Sequence, residues 1–348
     1  MISGISTASL SNTLTNSIVD LQKRLSVAQK EVTTGQYADL VGALGSQFTR
    51  SSTMHLSVSD IDAITASNNV VLSRLSVTQT SLQKLSSDAQ DVLKALVPAQ
   101  GGVINASAIV QQAKTSLGNM ISTLNVSDGG VPVFGGVNGD KPPVADYSSN
   151  PPSAAETALE GAFTSTFGFP PSDPRVSTIT GAQMSAFLSG PMANLFSAAN
   201  WTANWSSASN QPLQNRISVT QTSDTSVTAN DPAMQKLAAG YSMLAGLGLE
   251  NMGADAAQAV ISTATNYFSQ AVSGLTDLQQ KVGVMQSNVQ SAQDNMATTK
   301  DLLNTQIGTL EDVDPTEASV TVNNLMTQIE TAYSLTARIQ QLSLAKYL

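Results

Sequence analysis

His55 is the only histidine in the 348-residue chain, so a Ser-His-Asp relay could be built only around it. The chain contains no cysteine, which excludes thiolate chemistry and a disulfide framework. We expect a loop with Ser46–Thr53, and we place His55 in a polar loop next to Met54 and Leu56. That setting favours a loop or packing role over catalysis, and we expect no enzymatic activity.

A second group with possible chemistry is a cluster of carboxylates near the C-terminus. Glu311, Asp312, Asp314 and Glu317 could bind Ca²⁺, but their spacing lacks the glycine and the terminal glutamate of an EF-hand loop. The same residues fit the start of a helix, with Asp314 as N-cap, Pro315 at the first helical position and Glu317 at N3. We therefore predict a helix cap and no metal site.

The remaining candidates for ligand binding are glycine pairs and tryptophans. Gly129-Gly130 and Gly135-Gly136 lack the Lys-Ser/Thr and the helix start of a phosphate-binding loop. Trp201 and Trp205 could stack on a sugar or a base, but buried aromatic residues of a core or an interface are the simpler interpretation. The sequence predicts no cofactor.

Composition excludes several kinds of partner. Charged residues make up 12% of the chain and the net charge is -9, which argues against nucleic acid and against an anionic membrane surface. No apolar run reaches the length of a transmembrane helix. The first charged residue is Asp20, so the N-terminus does not resemble a cleavable signal peptide.

A helix is predicted at each end of the chain, and the two helices have similar apolar patterns. Both carry apolar residues at alternating steps of three and four, the seam of a coiled coil. We expect the two seams to pair and to form an assembly interface. The residues predicted for that interface are Leu10, Leu14, Ile18, Leu21, Leu25, Val32, Leu325, Ile329, Leu335, Ile339 and Leu342.

Long helices are predicted between the two ends. Heptad spacing indicates one helix from Ile61 to Leu96, ended by Pro98 and Gly101–Gly102, and another from Ala264 to Leu310, ended at Asp314-Pro315. Shorter helices are expected at Asn105–Leu124 and from Asp231 to about Leu247. The helices of the N-terminal and C-terminal halves of the chain must fold back on each other to bury their apolar faces, as in an antiparallel bundle.

The middle of the chain has a different composition, rich in Ser, Thr, Ala and Gly. Arg216–Val219 and Thr225–Ala229 alternate like a hairpin around a turn at Thr222–Asp224. We predict a mainly α protein, a long antiparallel helical-bundle rod with paired terminal coiled-coil helices and a small mixed α/β insertion. The expected domains are a terminal domain of residues 1–42 with 315–348, a rod of 43–145 with 231–314, and an inserted outer domain of 146–230.

Five stretches resemble the bacterial flagellins and flagellar hook-associated proteins. The C-terminal stretch is the most specific of them, because filament flagellins usually end in a different sequence, an Ala-Asn-Gln-like run. Val282–Gln286 resembles the family's glycine-containing break in the last core helix. The stretches are Ala28–Gln36, Asn68–Leu85, Asp128–Gly136, Val282–Gln286, and Asp312–Glu317 with Thr331–Leu348.

This resemblance implies a secreted structural subunit of the extracellular flagellum, exported by the flagellar type III apparatus and joining hook to filament. Its implied partners are identical subunits in a ring, a neighbouring hook-associated protein, flagellin and an export chaperone. Two alternatives stay open: a filament flagellin of the same family, or a secreted coiled-coil effector or helical enzyme with a pocket in the insertion.

Charge supports assembly through the ends independently of the resemblance. The charged residues of segment 1–40 sum to zero, and so do those of segment 316–348. Neutral helices can pack around a common axis without burying unpaired charge. Because isolated helices are marginal in water, we expect the ends of the free monomer to be disordered until assembly.

Overall fold

The computed structural model describes residues 7–102 and 104–344. Within this part the chain is mainly helical, and contacts divide it into two units. The first unit contains the residues up to Asp62 and those from Met296 onward, and the second contains Ala63–Asn295. The predicted division into three domains stays a prediction.

The first unit is built from the ends of the chain. Helix α1 spans Thr7–Thr34, a short helix α2 spans Leu40–Leu44, and helix α3 begins at Phe48. Helix α10 ends in this unit at Glu311, and helix α11 spans Pro315–Leu344. Helices α1 and α11 pack against each other, which confirms that the terminal helices pair.

Helix α3 is longer than the sequence indicated, because it runs continuously over Phe48–Gln100. The expected loop at Ser46–Thr53 is therefore wrong beyond the 3₁₀ turn Gly45–Gln47. Two hydroxyls of this stretch have partners compatible with a helix: Thr53 Oγ1 donates to the carbonyl of Thr49 at 2.9 Å, and Ser51 Oγ donates to Glu311 Oε1. Helix α3 ends immediately before Gly101–Gly102, as expected, whereas Pro98 lies inside its last turn and does not end the helix.

Helix α10 spans Ala254–Glu311 without interruption. The glycine-containing break expected at Val282–Gln286 is absent, and the prediction was wrong at this point. A Cβ added at Gly283 would meet nothing within 4 Å, so this glycine is not needed for a close approach. Val282 and Met285 are buried on either side of it, and their packing keeps the stretch helical.

In the second unit α3 and α10 run antiparallel. Near the end of α3, Gln100 Nε2 donates to Thr265 Oγ1 at 2.9 Å, whereas earlier in α3 Asn69 Oδ1 accepts from Gln293 Nε2 at 2.8 Å. Two shorter helices, α4 at Ala106–Leu124 and α9 at Pro232–Gly246, pack against each other beside them. One continuous hydrophobic core, drawn from residues between Val71 and Ala292, joins these helices.

The region between α4 and α9 contains short strands and short helices. Strand β1, Ser127–Asp128, pairs antiparallel with β2, Val131–Pro132. Strand β3, Gln214–Arg216, pairs antiparallel with β4, Thr222–Asp224. A hairpin does form here, but Thr222–Asp224 is its second strand and not the expected turn. The helices are α5 at Ala154–Phe167, α6 at Gly181–Phe187, α7 at Ala193–Leu195 and α8 at Ala198–Asn204.

The two tryptophans belong to an aromatic core in this region. Trp201 and Trp205 are buried and stacked, with ring centroids 5.4 Å apart. Tyr147 stacks on the other side of Trp205 at 5.3 Å, and Trp201 Nε1 donates to Asn230 Oδ1 at 3.1 Å. Neither indole face is open to a ligand, so the core interpretation is confirmed.

Candidate assembly surface

The pairing of α1 with α11 buries one narrow stripe from each helix. Gln22 Nε2 donates to the Tyr333 hydroxyl at 2.9 Å across the pair. Among the predicted interface residues, Ile18, Leu325 and Ile329 are buried, and Leu14, Leu21, Leu25 and Ile339 are half-buried. Ala28 and Ala318 complete the buried stripe.

Two of the predicted interface residues lie off this stripe. Val32 is 42% exposed and Leu335 is 47% exposed. Glu31 takes the place of Val32 on the stripe, three residues after Ala28, and Thr336 takes the place of Leu335, seven residues after Ile329. Both are half-buried. The side chains of Leu10 and Leu342 fall outside the described residues.

Both terminal helices keep apolar side chains in solvent. We call this exposed set the terminal apolar surface. It includes Leu335, which lies one residue from the buried stripe, and residues on other faces of both helices. Single exposed apolar residues are normal on a monomer, but here they recur along two helices that share only a thin seam. The members are Val19, Val27, Val32, Val320, Met326, Tyr333 and Leu335. That these residues contact other subunits stays a prediction.

The chain connects α1 and α11 to the long helices through one short joint. After α1, Gly35 adopts a left-handed conformation with φ +74°, which favours glycine. Gln36 then forms an antiparallel bridge with Asp312. The Tyr37 N–H donates to the Glu311 carbonyl and the Val313 N–H donates to the Gly35 carbonyl, both at 2.9 Å.

Of the carboxylates near the start of α11, Asp314 caps the helix as predicted, whereas Glu311 is buried at the end of α10 and is not part of the expected solvated turn. Asp314 Oδ1 accepts from the backbone N–H of Thr316 at 2.7 Å and of Glu317 at 3.4 Å. These backbone hydrogen bonds, with a further one from the Thr316 side chain, lower the pKa of Asp314 below its ordinary value. Among the residues that the structure describes, no group of three or more His, Cys, Asp or Glu side chains could hold a metal ion.

His55 lies in α3 and not in a loop, which corrects the sequence prediction. Its Nε2 is 2.9 Å from Glu311 Oε1, and Ser51 Oγ donates to the same oxygen. Both groups converge on the carboxylate, so His55 does not stand between a hydroxyl and an acid as a relay requires. Sequence reasoning missed this cluster, although the i,i+4 spacing of Ser51 and His55 would have placed both on one face of a helix.

The second unit contains a cavity of about 670 Å³ beside α4 and α5. Its charged lining residues are Lys114, Asp146, Glu156, Glu160 and Glu250. Partial burial and then the neighbouring Glu160 raise the pKa of Glu156, while Lys114 opposes the shift. The residues that line it include no histidine or cysteine.

Comparison with known families gives matches at both ends of the chain. Residues 5–138 match the bacterial flagellin N-terminal helical region, and residues 265–348 match the bacterial flagellin C-terminal helical region. The chain belongs to the flagellin family. It is accordingly a structural, non-enzymatic component of the extracellular bacterial flagellum.

A solved structure has the same fold as this flagellin-family chain. It is a protein from Vibrio parahaemolyticus that is provisionally described as a flagellar hook-associated protein. The similarity has a TM-score of 0.53 at 11% sequence identity and covers 77% of this chain and 99% of the other. A search of curated proteins finds no match. In the described part of the chain, no helix combines the length and the apolar character needed to cross a membrane.

Proposed function

We propose that this flagellin-family chain is the subunit that joins the flagellar hook to the filament. The observation that carries the proposal is the C-terminal sequence Thr331–Leu348, which resembles the ending of junction subunits and not that of filament flagellins. Asp128–Gly136, whose first residues lie in the β1–β2 hairpin, resembles a turn typical of the same subunits. The fold shared with a provisionally described hook-associated protein supports this assignment.

Assembly through the terminal helices is the mechanism that we propose for this role. The α1–α11 pair has few fully buried residues, and the large continuous core lies entirely between Val71 and Ala292. The pair would therefore gain stability by covering the terminal apolar surface with identical neighbours in a ring. Its near-zero net charge would limit repulsion among the copies.

The proposed role brings further partners with it. A ring at this position contacts a neighbouring hook-associated protein on one side and flagellin on the other. Delivery through the type III apparatus, assisted by an export chaperone, would place the subunit at the growing end.

A filament flagellin is the second candidate function. The two matching regions are the N- and C-terminal helical regions of bacterial flagellin, which a filament subunit of this family would share. Membership of the flagellin family removes the unrelated secreted effector as an alternative.

Deletion of the gene separates the two candidates. Loss of filaments with flagellin shed into the medium is expected for the junction subunit, and antibody labelling should give a single band between hook and filament. Labelling along the whole filament, or shortened filaments that stay attached, would contradict the junction role.

Point variants test the proposed assembly surface. Leu335→Ser changes a residue that is exposed in the monomer, so folding should be unaffected while ring or polymer formation declines. Val219→Ser is the matched control, because Val219 is also about half exposed but lies in the β3–β4 turn. Equal assembly by the two variants would argue against contacts through Leu335.

A further inference from the structure

Glu311 is the only charged residue that is buried among the side chains whose burial the structure describes. It is 2% exposed and is the last residue of α10. Moving a carboxylate out of water costs several kcal/mol, and the cost is offset only when suitable donors surround the group. A buried carboxylate at a helix end therefore calls for an explanation.

The donors come from one face of α3. Ser51 Oγ donates to Glu311 Oε1, and His55 Nε2 lies 2.9 Å from the same oxygen. Ser51 is buried, whereas the His55 side chain is 55% exposed. One carboxylate oxygen thus ties the end of α10 to two successive turns of α3.

The backbone of the same residue belongs to the joint. The Glu311 carbonyl accepts from the Tyr37 N–H, and two residues later the Val313 N–H donates to the Gly35 carbonyl. The chain leaving α1 and the chain entering α11 are held at this point and nowhere else by main-chain pairing in the described part of the first unit. Glu311 therefore lies at the main-chain pairing from which both α1 and α11 extend.

Stability alone does not account for a carboxylate here. An unbranched apolar side chain of similar length would avoid the desolvation cost, and such replacements of buried ionic groups are often neutral or stabilising. A carboxylate differs because it requires particular donors in particular places. An apolar side chain would tolerate small shifts of α10 along α3, but Glu311 would lose its donors.

We propose that Glu311, Ser51 and His55 form a polar latch that selects one arrangement of the joint and so positions α1 and α11 for assembly. All three are positioning residues. The latch affects assembly only if the terminal helices form the subunit contacts, and in that respect it rests on the proposed function.

The test uses Glu311→Met and Glu311→Gln in the full-length monomer. For Glu311→Met we expect an unchanged or higher urea midpoint, together with exchange of the Tyr37 and Val313 amide hydrogens that is about tenfold faster than in the unaltered chain. Glu311→Gln keeps an acceptor oxygen and should restore much of the protection. Asp301→Met is the matched control, since Asp301 is an exposed acid on the same helix.

Three results would overturn the latch. The first is normal protection of Tyr37 and Val313 in Glu311→Met. The second is a fall in the urea midpoint that accounts for the faster exchange, which would show an ordinary structural role. The third is exchange in Glu311→Gln as fast as in Glu311→Met.

A double-mutant cycle covers the case in which Glu311→Met does not fold. Ser51→Ala and His55→Leu should each accelerate exchange of the same two amides, and their combined effect should be smaller than the product of the two, because they act on one carboxylate. Independent effects would contradict the latch. These measurements need only monomer, so they stand apart from any gene-deletion result on the junction role.

Discussion

Asp314 defines where α11 begins. Its side chain satisfies two backbone N–H groups that have no partner within the helix, and Pro315 occupies the first helical position, where the missing N–H costs nothing. We expect Asp314→Ala to accelerate amide exchange at Thr316 and Glu317, because both lose their acceptor. Asp314→Asn retains an acceptor and is the control; equal acceleration in both would indicate that charge matters more than the hydrogen bonds.

The same cap predicts a pH dependence. The folded-state pKa of Asp314 lies below its ordinary value because the backbone N–H groups of Thr316 and Glu317 stabilise the carboxylate. The stabilisation is therefore complete above the ordinary pKa and is lost as the pH falls through the lowered value. Helicity of the first turn of α11, followed by residue-resolved NMR at Thr316 and Glu317, should decline over that acidic range, and Asp314→Ala should remove this component. A decline that persists in the variant would assign it to other carboxylates.

At the scale of elements, Gly240 lets α9 approach α10. A Cβ at Gly240 would lie 2.8 Å from the Phe268 ring, closer than real contacts allow. We expect Gly240→Ala to lower the free energy of unfolding by about 1–3 kcal/mol through overpacking. Urea unfolding followed by circular dichroism measures the change.

Gly118 supplies the matched control in another helix. It lies in α4, and a Cβ there would meet nothing within 4 Å. Gly118→Ala should raise the free energy of unfolding by about 0.4–1 kcal/mol, since it restricts the unfolded chain without a clash. Similar losses of stability in both variants would contradict the specific contact with Phe268.

The helices could be predicted from the sequence because apolar residues recur at regular steps along them. The seam around Ile18 and Ile329 follows this rule, whereas Leu335 departs from it by one residue and is exposed. The start of α3 was missed because Ser and Thr usually favour loops, whereas in the folded chain Ser51 and His55 contact Glu311 of α10 from one face of the helix.

Other features depend on contacts that no local pattern encodes. Glu311 is joined to Ser51 and His55 across more than 250 residues of sequence. The strand at Thr222–Asp224 is polar and short, and it pairs because Gln214–Arg216 lies beside it. Long-range partners of this kind become visible only in the folded chain.

At the scale of the whole molecule, the parts of α1 and α11 beyond the joint should depend on assembly for their order, whereas the joint itself, with Tyr37 and Val313, is held by its own pairing in the monomer. Their shared seam is thin, and isolated helices are marginal in water. We expect amides of α1 and α11 in dilute monomer to exchange much faster than those of α4 and α9, and to gain protection in the assembled ring or polymer. Strong protection of Leu14–Leu25 and Ile329–Leu342 in the monomer would contradict this expectation.

The pairing of Gln22 with Tyr333 spans 311 positions of the sequence. A polypeptide that leaves a narrow conduit with its first residue in front cannot make this contact until almost the last residue has emerged. Under the export route of the proposed function, α1 would therefore remain unpaired while the long middle of the molecule is delivered. The α1–α11 pair would then form only in a subunit that has been delivered in full, and a chain truncated before its final helix could not be incorporated.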